Sequence, residues 1–202
     1  RVVEEPSTIC NVKSSSNYQG LRTQLKNLAR LWGYNDVIIP GVTRDGQVIV
    51  TEMSGANLFL VKDGLLITTP PSRLILPGLT RDNILTLAKI IAKELGLKGV
   101  KEEYFTIEQM LNADELFAVG SAAKVTPVCQ VDTYNNAKNR FEPNSIGNGR
   151  PGKVTRAFQA AYFFIERGEA FAFDHSNGRP AKPTVLTEFV DHVVKVDIPA
   201  SR

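Results

Sequence analysis

Between residues 36 and 68 the chain repeatedly turns back on itself. Asp36-Val37-Ile38-Ile39-Pro40 and Gln47-Val48-Ile49-Val50-Thr51 are β-rich runs on either side of Arg44-Asp45-Gly46. Asn57-Leu58-Phe59-Leu60-Val61 and Leu65-Leu66-Ile67-Thr68 flank Lys62-Asp63-Gly64. An Asp-Gly pair between two apolar runs marks a tight hairpin, because such turns need residues that accept positive φ. Strands joined by so short a loop are antiparallel.

Helical periods surround this block. Leu21, Leu25, Leu28 and Trp32 fall at i, i+4, i+7 and i+11, which predicts one apolar face. Arg22, Lys26 and Arg30 form a second, basic face, and Gly33 is a stop signal. Thr80 is expected to cap a helix through Leu95, with Ile84, Leu87, Ala88, Ile91 and Leu95 inside and Gly96 ending it. The spacing then predicts a strand over 100–106 and a short helix over 107–111. Strands over 115–119 and 125–131 lie on either side of Gly120-Ser121-Ala122-Ala123. Residues 132–152 are polar, contain Gly147, Gly149, Pro151 and Gly152, and read as a loop. A last helix is expected over 153–167, with Val154, Phe158, Ala161, Tyr162 and Ile165 on one face and Gly168 as its stop. The stretch from Phe171 reads as a tail in which residues 185–196 add a strand or a short helix. The fold class is therefore mixed α/β (α+β) with substantial antiparallel pairing, one large domain over 1–170 and terminal elements over 171–202.

Composition narrows the function. With 43% hydrophobic residues in 202, there is material for a sizeable core. The net charge of +3 is spread along the chain, which gives no footprint for nucleic acid or for an anionic membrane. No apolar run reaches the length of a membrane span, and the start lacks a signal-peptide pattern. Cys10 and Cys129 are far apart and form no CxxC; they read as free thiols of a reducing compartment, and the expected location is cytoplasmic, or an organelle reached by a signal further upstream. The chain opens Arg1-Val2-Val3-Glu4-Glu5-Pro6, like the middle of a longer protein.

Several stretches carry chemistry. In Cys10-Asn11-Val12-Lys13-Ser14-Ser15-Ser16-Asn17-Tyr18, one lysine sits among small polar residues, with a tyrosine five positions on. Lysine forms Schiff bases with aldehydes, and small neighbours leave room for a bulky partner. Glu52, before Ser54-Gly55, puts a carboxylate at a strand end, where it can serve a protonated ring nitrogen or be an ordinary turn acid. Leu76-Pro77-Gly78-Leu79-Thr80 leads into a helix whose free N–H groups can bind an anion. Gly120-Ser121-Ala122-Ala123 lets a ligand approach backbone N–H groups, or is a tight corner. Gly147-Asn148-Gly149-Arg150-Pro151-Gly152 spells G-x-G-x-x-G before a helix, but a dinucleotide site needs a strand feeding it, and Phe141-Glu142-Pro143-Asn144-Ser145 reads as loop. His175 and His192 have no metal-ligand spacing, so no metal is expected. A G-x-S-x-G elbow is absent.

Taken together and in order, four motifs resemble the class IV aminotransferases that use pyridoxal 5'-phosphate (PLP), the fold type IV group. They are Lys13 to Asn17-Tyr18; Glu52-Met53-Ser54-Gly55-Ala56-Asn57-Leu58-Phe59; Leu76-Pro77-Gly78-Leu79-Thr80-Arg81; and Asp114-Glu115-Leu116-Phe117 leading to Gly120-Ser121-Ala122-Ala123 and Thr126-Pro127-Val128. The resemblance implies a D-amino acid aminotransferase-like fold, with a largely antiparallel sheet or pseudo-barrel flanked by helices. It implies that Lys13 carries PLP as a Schiff base and shuttles the proton, that Tyr18 donates to the phenolate oxygen, and that Glu52 keeps the pyridine nitrogen protonated. Asn57 would orient Glu52, and Leu76 would pack on the ring. Gly78, Leu79, Thr80, Gly120 and Ser121 would hold the phosphate, with Ala122 and Ala123 beside the substrate carboxylate.

Asn17-Tyr18 and Gly152-Lys153-Val154-Thr155 look most like the branched-chain enzymes. Met53 stands where glycine is usual, and Lys124 where glutamate is common. The implied reaction moves an amino group from a branched-chain amino acid to 2-oxoglutarate. The alternatives on the same scaffold are a D-amino acid aminotransferase, an aminodeoxychorismate lyase, or a non-catalytic fragment needing a second polypeptide. In the family a smaller N-terminal domain precedes the lysine and supplies a phosphate arginine. The dozen residues before Lys13 cannot hold it, so the expected partners are that domain, as a separate chain or in fusion, and a second copy in a homodimer or higher oligomer.

Overall fold

The computed structural model describes residues 12–14, 18–43, 45–72, 74–167, 171–174, 179–181 and 193–194. Strands β1 (Ile38–Val42), β2 (Val48–Met53), β3 (Asn57–Lys62) and β4 (Leu65–Thr68) follow one another as antiparallel neighbours. The turn between β3 and β4 has Asp63 at φ 51° and Gly64 at φ 82°, the positive values an Asp-Gly hairpin requires. β5 (Gly99–Glu102) adds to β4 in parallel, the one parallel pair among the described strands of a largely antiparallel sheet. β6 (Glu115–Gly120) pairs with β3 and with β7 (Lys124–Pro127), completing a seven-stranded sheet.

β3 is the hub, because it borders β2, β4 and β6. Its side chains alternate between the two faces, and both faces are covered. Phe59 and Val61 join Leu66, Phe117 and Val119 under two helices, α2 (Leu79–Leu95) and α4 (Lys153–Glu166). Phe59 stacks on Phe117 at 5.3 Å between ring centroids, and Phe158 of α4 tilts against Phe117 at 5.7 Å. Leu58 and Leu60 point the other way and pack with Val50, Phe105, Met110, Leu116 and Ala118. That second core is closed by α3 (Ile107–Leu111). Thr106 caps α3, accepting from Gln109 N while the Gln109 side chain accepts from Thr106 N, so the run expected as a strand to 106 stops short to make a capping box.

The N-terminus of α4 is capped from outside the helix. Glu115, at the start of β6, accepts from Val154 N at 3.0 Å, Thr155 N at 2.8 Å and Thr155 Oγ1 at 2.7 Å. A carboxylate there satisfies donors that no helical carbonyl reaches and meets the positive end of the helix dipole. Gly152 has to be glycine for this, since a Cβ would overlap the Glu115 side chain. Glu115→Ala should lower stability by about 1–2 kcal/mol in a urea melt.

Three expectations are corrected. Residues 132–152 are not all loop: β8 (Gln130–Asn135) and β9 (Arg140–Ser145) form an antiparallel hairpin. Its polar residues pair with each other, Asn135 and Lys138 with Glu142, and Asn144 with Thr133. Its aromatic face, Tyr134 and Phe141, gathers Tyr34 and Trp32. The strand expected over 125–131 is divided between β7 and β8, with residues 128 and 129 between them. The first helix also differs. A π-helical turn, Tyr18–Arg22, bent at Gly20, leads into α1 (Thr23–Leu31). The expected apolar face is mostly open, with Trp32 56% exposed and Leu21 and Leu28 also exposed. The buried residues are Arg22 and Ala29.

Beyond α4, β10 (Phe171–Asp174) pairs antiparallel with β11 (Arg179–Ala181) and β12 (Val193–Val194). Cys129 is a free thiol, whereas Cys10, His175 and His192 lie outside the described residues. Among the described residues, no helix is long and apolar enough to cross a membrane.

Candidate active site

The site grows from the end of β2. Glu52 is 1% exposed, and the tight turn at residues 54–55, closed by Met53 N donating to Ala56 O at 2.8 Å, sets Asn57 directly across from it. Asn57 Nδ2 donates to Glu52 Oε2 at 3.1 Å and to the Leu76 carbonyl at 2.9 Å. Leu76 N donates to both Glu52 oxygens, at 3.3 and 3.2 Å. One amide and one backbone N–H thus fix the carboxylate and tie it to the chain that enters α2. Glu52, Asn57 and Leu76, three of the residues expected to act together, are brought together.

Gly78 is the N-cap of α2, with extended φ −77° and ψ 133°. Thr80 is not the cap; it lies inside the first turn, 3% exposed, and accepts a hydrogen bond from Tyr162 Oη at 3.4 Å. The reason is space. A Cβ at residue 78 would run into Asn57 Oδ1, so only glycine lets the helix begin this close to the Glu52 cluster. Gly78→Ala should displace Asn57, with a loss of about 1–3 kcal/mol of stability measured by thermal unfolding. The helix start is also held by Arg81, 1% exposed, which donates to Glu102 Oε2 at 2.5 Å and to the Thr69 carbonyl at 2.9 Å. Leu79 is 74% exposed, while Thr80 and Arg81 beside it are buried.

A third segment closes on these two. A Cβ at Gly120 would sit 3.1 Å from the Gly55 carbonyl, which puts the β6–β7 turn hard against the β2–β3 turn. Ser121 and Ala122 are exposed there and Ala123 is half-buried. A buried acid, a helix N-terminus and a turn of small residues therefore converge. Those parts match a flat ring with a basic nitrogen at one end and a phosphate at the other.

Lys13 is exposed, and among the described residues it has no hydrogen bond to this cluster. The side chain of Tyr18 lies outside the described residues. The residue that sequence reasoning missed is Arg22. Its NH2 lies 2.5 Å from Glu52 Oε1, and its side chain is 6% exposed. Helical spacing groups it with Lys26 and Arg30 on a solvated face; the π-helical turn at the start of the helix offers no signal in the sequence that would place it inside.

Burial pushes the Glu52 carboxyl up to about 7, against the charge and hydrogen bond of Arg22 and the Leu76 N–H. Between about pH 4.5 and 7 the folded protein keeps a proton that the unfolded chain has released. Stability from this group is therefore greatest below about pH 4.5, falls as pH rises to about 7 and then levels. The fall should total up to about 3 kcal/mol. Urea melts of the cofactor-free protein across that range should show the slope, and Glu52→Gln should flatten it.

An apolar cleft of about 1230 Å³ opens between α1 and the β8–β9 hairpin, lined by Trp32, Met53, Met110 and Phe141 among others. It lies across β2 from the Glu52 carboxylate, because Met53 and Glu52 alternate on the strand. Of the expected site residues, Ala123 alone borders it. The glycine pattern at 147–152 also gains its answer. A strand, β9, does feed it, contrary to expectation. That strand belongs to an antiparallel hairpin, and the helix N-terminus beyond is already filled by the Glu115 carboxylate. No dinucleotide site results.

A model of the amino-transferase class IV family matches residues 2–131. The chain belongs to the class IV aminotransferase family. It is 40% identical over 141 residues to a branched-chain-amino-acid aminotransferase of Escherichia coli (strain K12), covering 70% of this chain and 40% of that protein. The chain thus spans well under half the length of that relative. Two solved branched-chain aminotransferases share the fold. The enzyme from Thermobaculum terrenum in its PLP form is 26% identical, with a TM-score of 0.64, covering 81% of this chain and 47% of the other. The T.th. enzyme complexed with N-(5'-phosphopyridoxyl)-L-glutamate is 30% identical, with a TM-score of 0.61, covering 77% and 46%. Class IV aminotransferases are PLP enzymes, and the fold type IV architecture inferred from the four motifs is the one observed.

Proposed function

We propose that the protein containing this chain transfers the amino group of a branched-chain amino acid to 2-oxoglutarate, with PLP held at the Glu52 cluster. The observation that carries this is the convergence of Glu52, Asn57 and Leu76 with the α2 N-terminus and the Ser121 turn. The solved relative holding a phosphopyridoxyl-glutamate conjugate supports glutamate as one member of the substrate pair. Bound PLP supplies an electron sink for the charge left when an amino acid loses its α-proton.

The chain's own residues supply the rest. Lys13 would hold the cofactor covalently and would take up the proton released at the substrate α-carbon. Tyr18 would donate to the ring oxygen. Glu52 faces the ring nitrogen, with Asn57 and the Leu76 N–H fixing its oxygens. Leu76 packs on the ring. Gly78, Leu79 and Thr80, at the positive end of α2, bind phosphate together with Gly120 and Ser121. Ala122 and Ala123 border the substrate carboxylate.

The test is a substrate panel with added PLP. Leucine, isoleucine and valine with 2-oxoglutarate should yield glutamate. Release of pyruvate from aminodeoxychorismate with no glutamate from the panel would replace this reading with the lyase.

A further inference from the structure

Three donors hold the Glu52 carboxylate. A carboxylate offers about four acceptor positions. The Leu76 N–H is shared between both oxygens, Asn57 Nδ2 donates to Oε2, and Arg22 donates to Oε1 at 2.5 Å. Arg22 also reaches toward the Met53 carbonyl at 3.5 Å, which aims its guanidinium along the end of β2. A guanidinium never gives up its charge in a protein. Among the described residues Arg22 is the one charged partner on Glu52. Asp36, nearby in the chain fold, is taken up by Lys26 and Ser54: burial alone would raise it, and those bonds together hold it below the ordinary range.

We infer that Arg22 is a positioning residue that pairs with Glu52 and shares its charge, so that a ring nitrogen bound there is protonated less readily than against an unpaired carboxylate. This rests on the PLP site proposed above. Two effects follow from the same contact. In the cofactor-free protein, Arg22 offsets the desolvation of a buried acid and brings its ionisation within reach of neutral pH. In the loaded protein, a ring N–H must compete with Arg22 for Glu52 Oε1 and sits beside a fixed positive charge, which opposes a second one. Removing the charge at residue 22 should therefore raise the proton affinity of both groups.

The experiment has two arms. In cofactor-free protein labelled with [13C]glutamate, with the Glu52 signal assigned from Glu52→Gln, Arg22→Leu should raise the Glu52 titration midpoint by about one to three units. In protein loaded with [15N]PLP and titrated with base, the pH at which the ring nitrogen loses its proton should rise in Arg22→Leu relative to the wild type. Arg22→Lys, which keeps the charge, should retain wild-type behaviour in both arms, and Arg22→Gln replaces the leucine variant if the latter does not fold. A ring-nitrogen midpoint unmoved by the substitution overturns the inference. If the wild type takes up no PLP, the proposed function fails instead. The first arm then decides about Arg22, an unchanged Glu52 midpoint overturning its role.

Discussion

Lys13→Ala is expected to reduce transamination by about 10⁴-fold or more, because one substitution removes both the covalent anchor and the proton carrier. Each role alone is worth orders of magnitude, and among the described residues no second amine is built into the Glu52 cluster to take over. The folded state should be unaffected: Lys13 is exposed and holds no hydrogen bond among the described residues, so its loss removes no packing. Thermal unfolding of the cofactor-free variant should match the wild type. Activity should return in part with added small primary amines, which can replace the proton carrier but not the anchor. The assignment has a direct chemical check. Borohydride reduction of the loaded wild type should fix a pyridoxyl group to Lys13 in the peptide map. A label on another lysine, with Lys13 unmodified, ends it.

Glu52→Gln should have the second-largest effect on turnover, about 10²–10³-fold, on the scale of removing one preorganised electrostatic group from an active site. Glutamine fills the same space and keeps a bond to Asn57 or Leu76, so PLP affinity should fall much less than kcat. What is lost is the negative charge. The Arg22 charge remains at the same place, 5% exposed, without the Glu52 charge beside it, and drives the ring nitrogen toward its neutral form. Without a positive ring nitrogen the cofactor is a poorer electron sink. The measurement is kcat with saturating PLP, together with the dissociation constant for PLP by fluorescence. Wild-type kcat in this variant would reduce Glu52 to a turn acid.

The sheet is readable because its order is local. Turns at Asp45-Gly46 and Asp63-Gly64 specify hairpins whatever else the chain does. The helix over 79–95 announces itself through five inward positions, all of them buried. The cluster of Glu52, Asn57 and Leu76 is readable through motif order, since residues 5 and 24 positions from Glu52 carry no spacing rule of their own. What is not readable depends on tertiary contact. Arg22 looks like any basic residue on an amphipathic helix until the π-helical turn carries it to a buried acid. Leu21, Leu28 and Trp32 look like a core face and are largely exposed in this chain. Thr80 is the better cap by propensity, yet Gly78 takes the position because Asn57 leaves no room for a side chain. The β8–β9 hairpin hides because its strands satisfy polar groups against each other, and period-2 hydrophobicity barely registers in it.

β6 connects two distant tasks. Its first residue, Glu115, caps α4, and its last, Gly120, delivers the Ser121 turn to the site. Between them Leu116, Phe117, Ala118 and Val119 are buried on alternating faces, paired with β3 along the strand and with β7 over its second half. The strand therefore works as a ruler of fixed length. Adding or deleting one residue inside it would invert every side chain beyond the change and separate the cap from the turn by a full residue step. Related sequences that differ in length should place their insertions elsewhere, for example in the exposed turn over 136–139, and hold the interval from 115 to 120 constant.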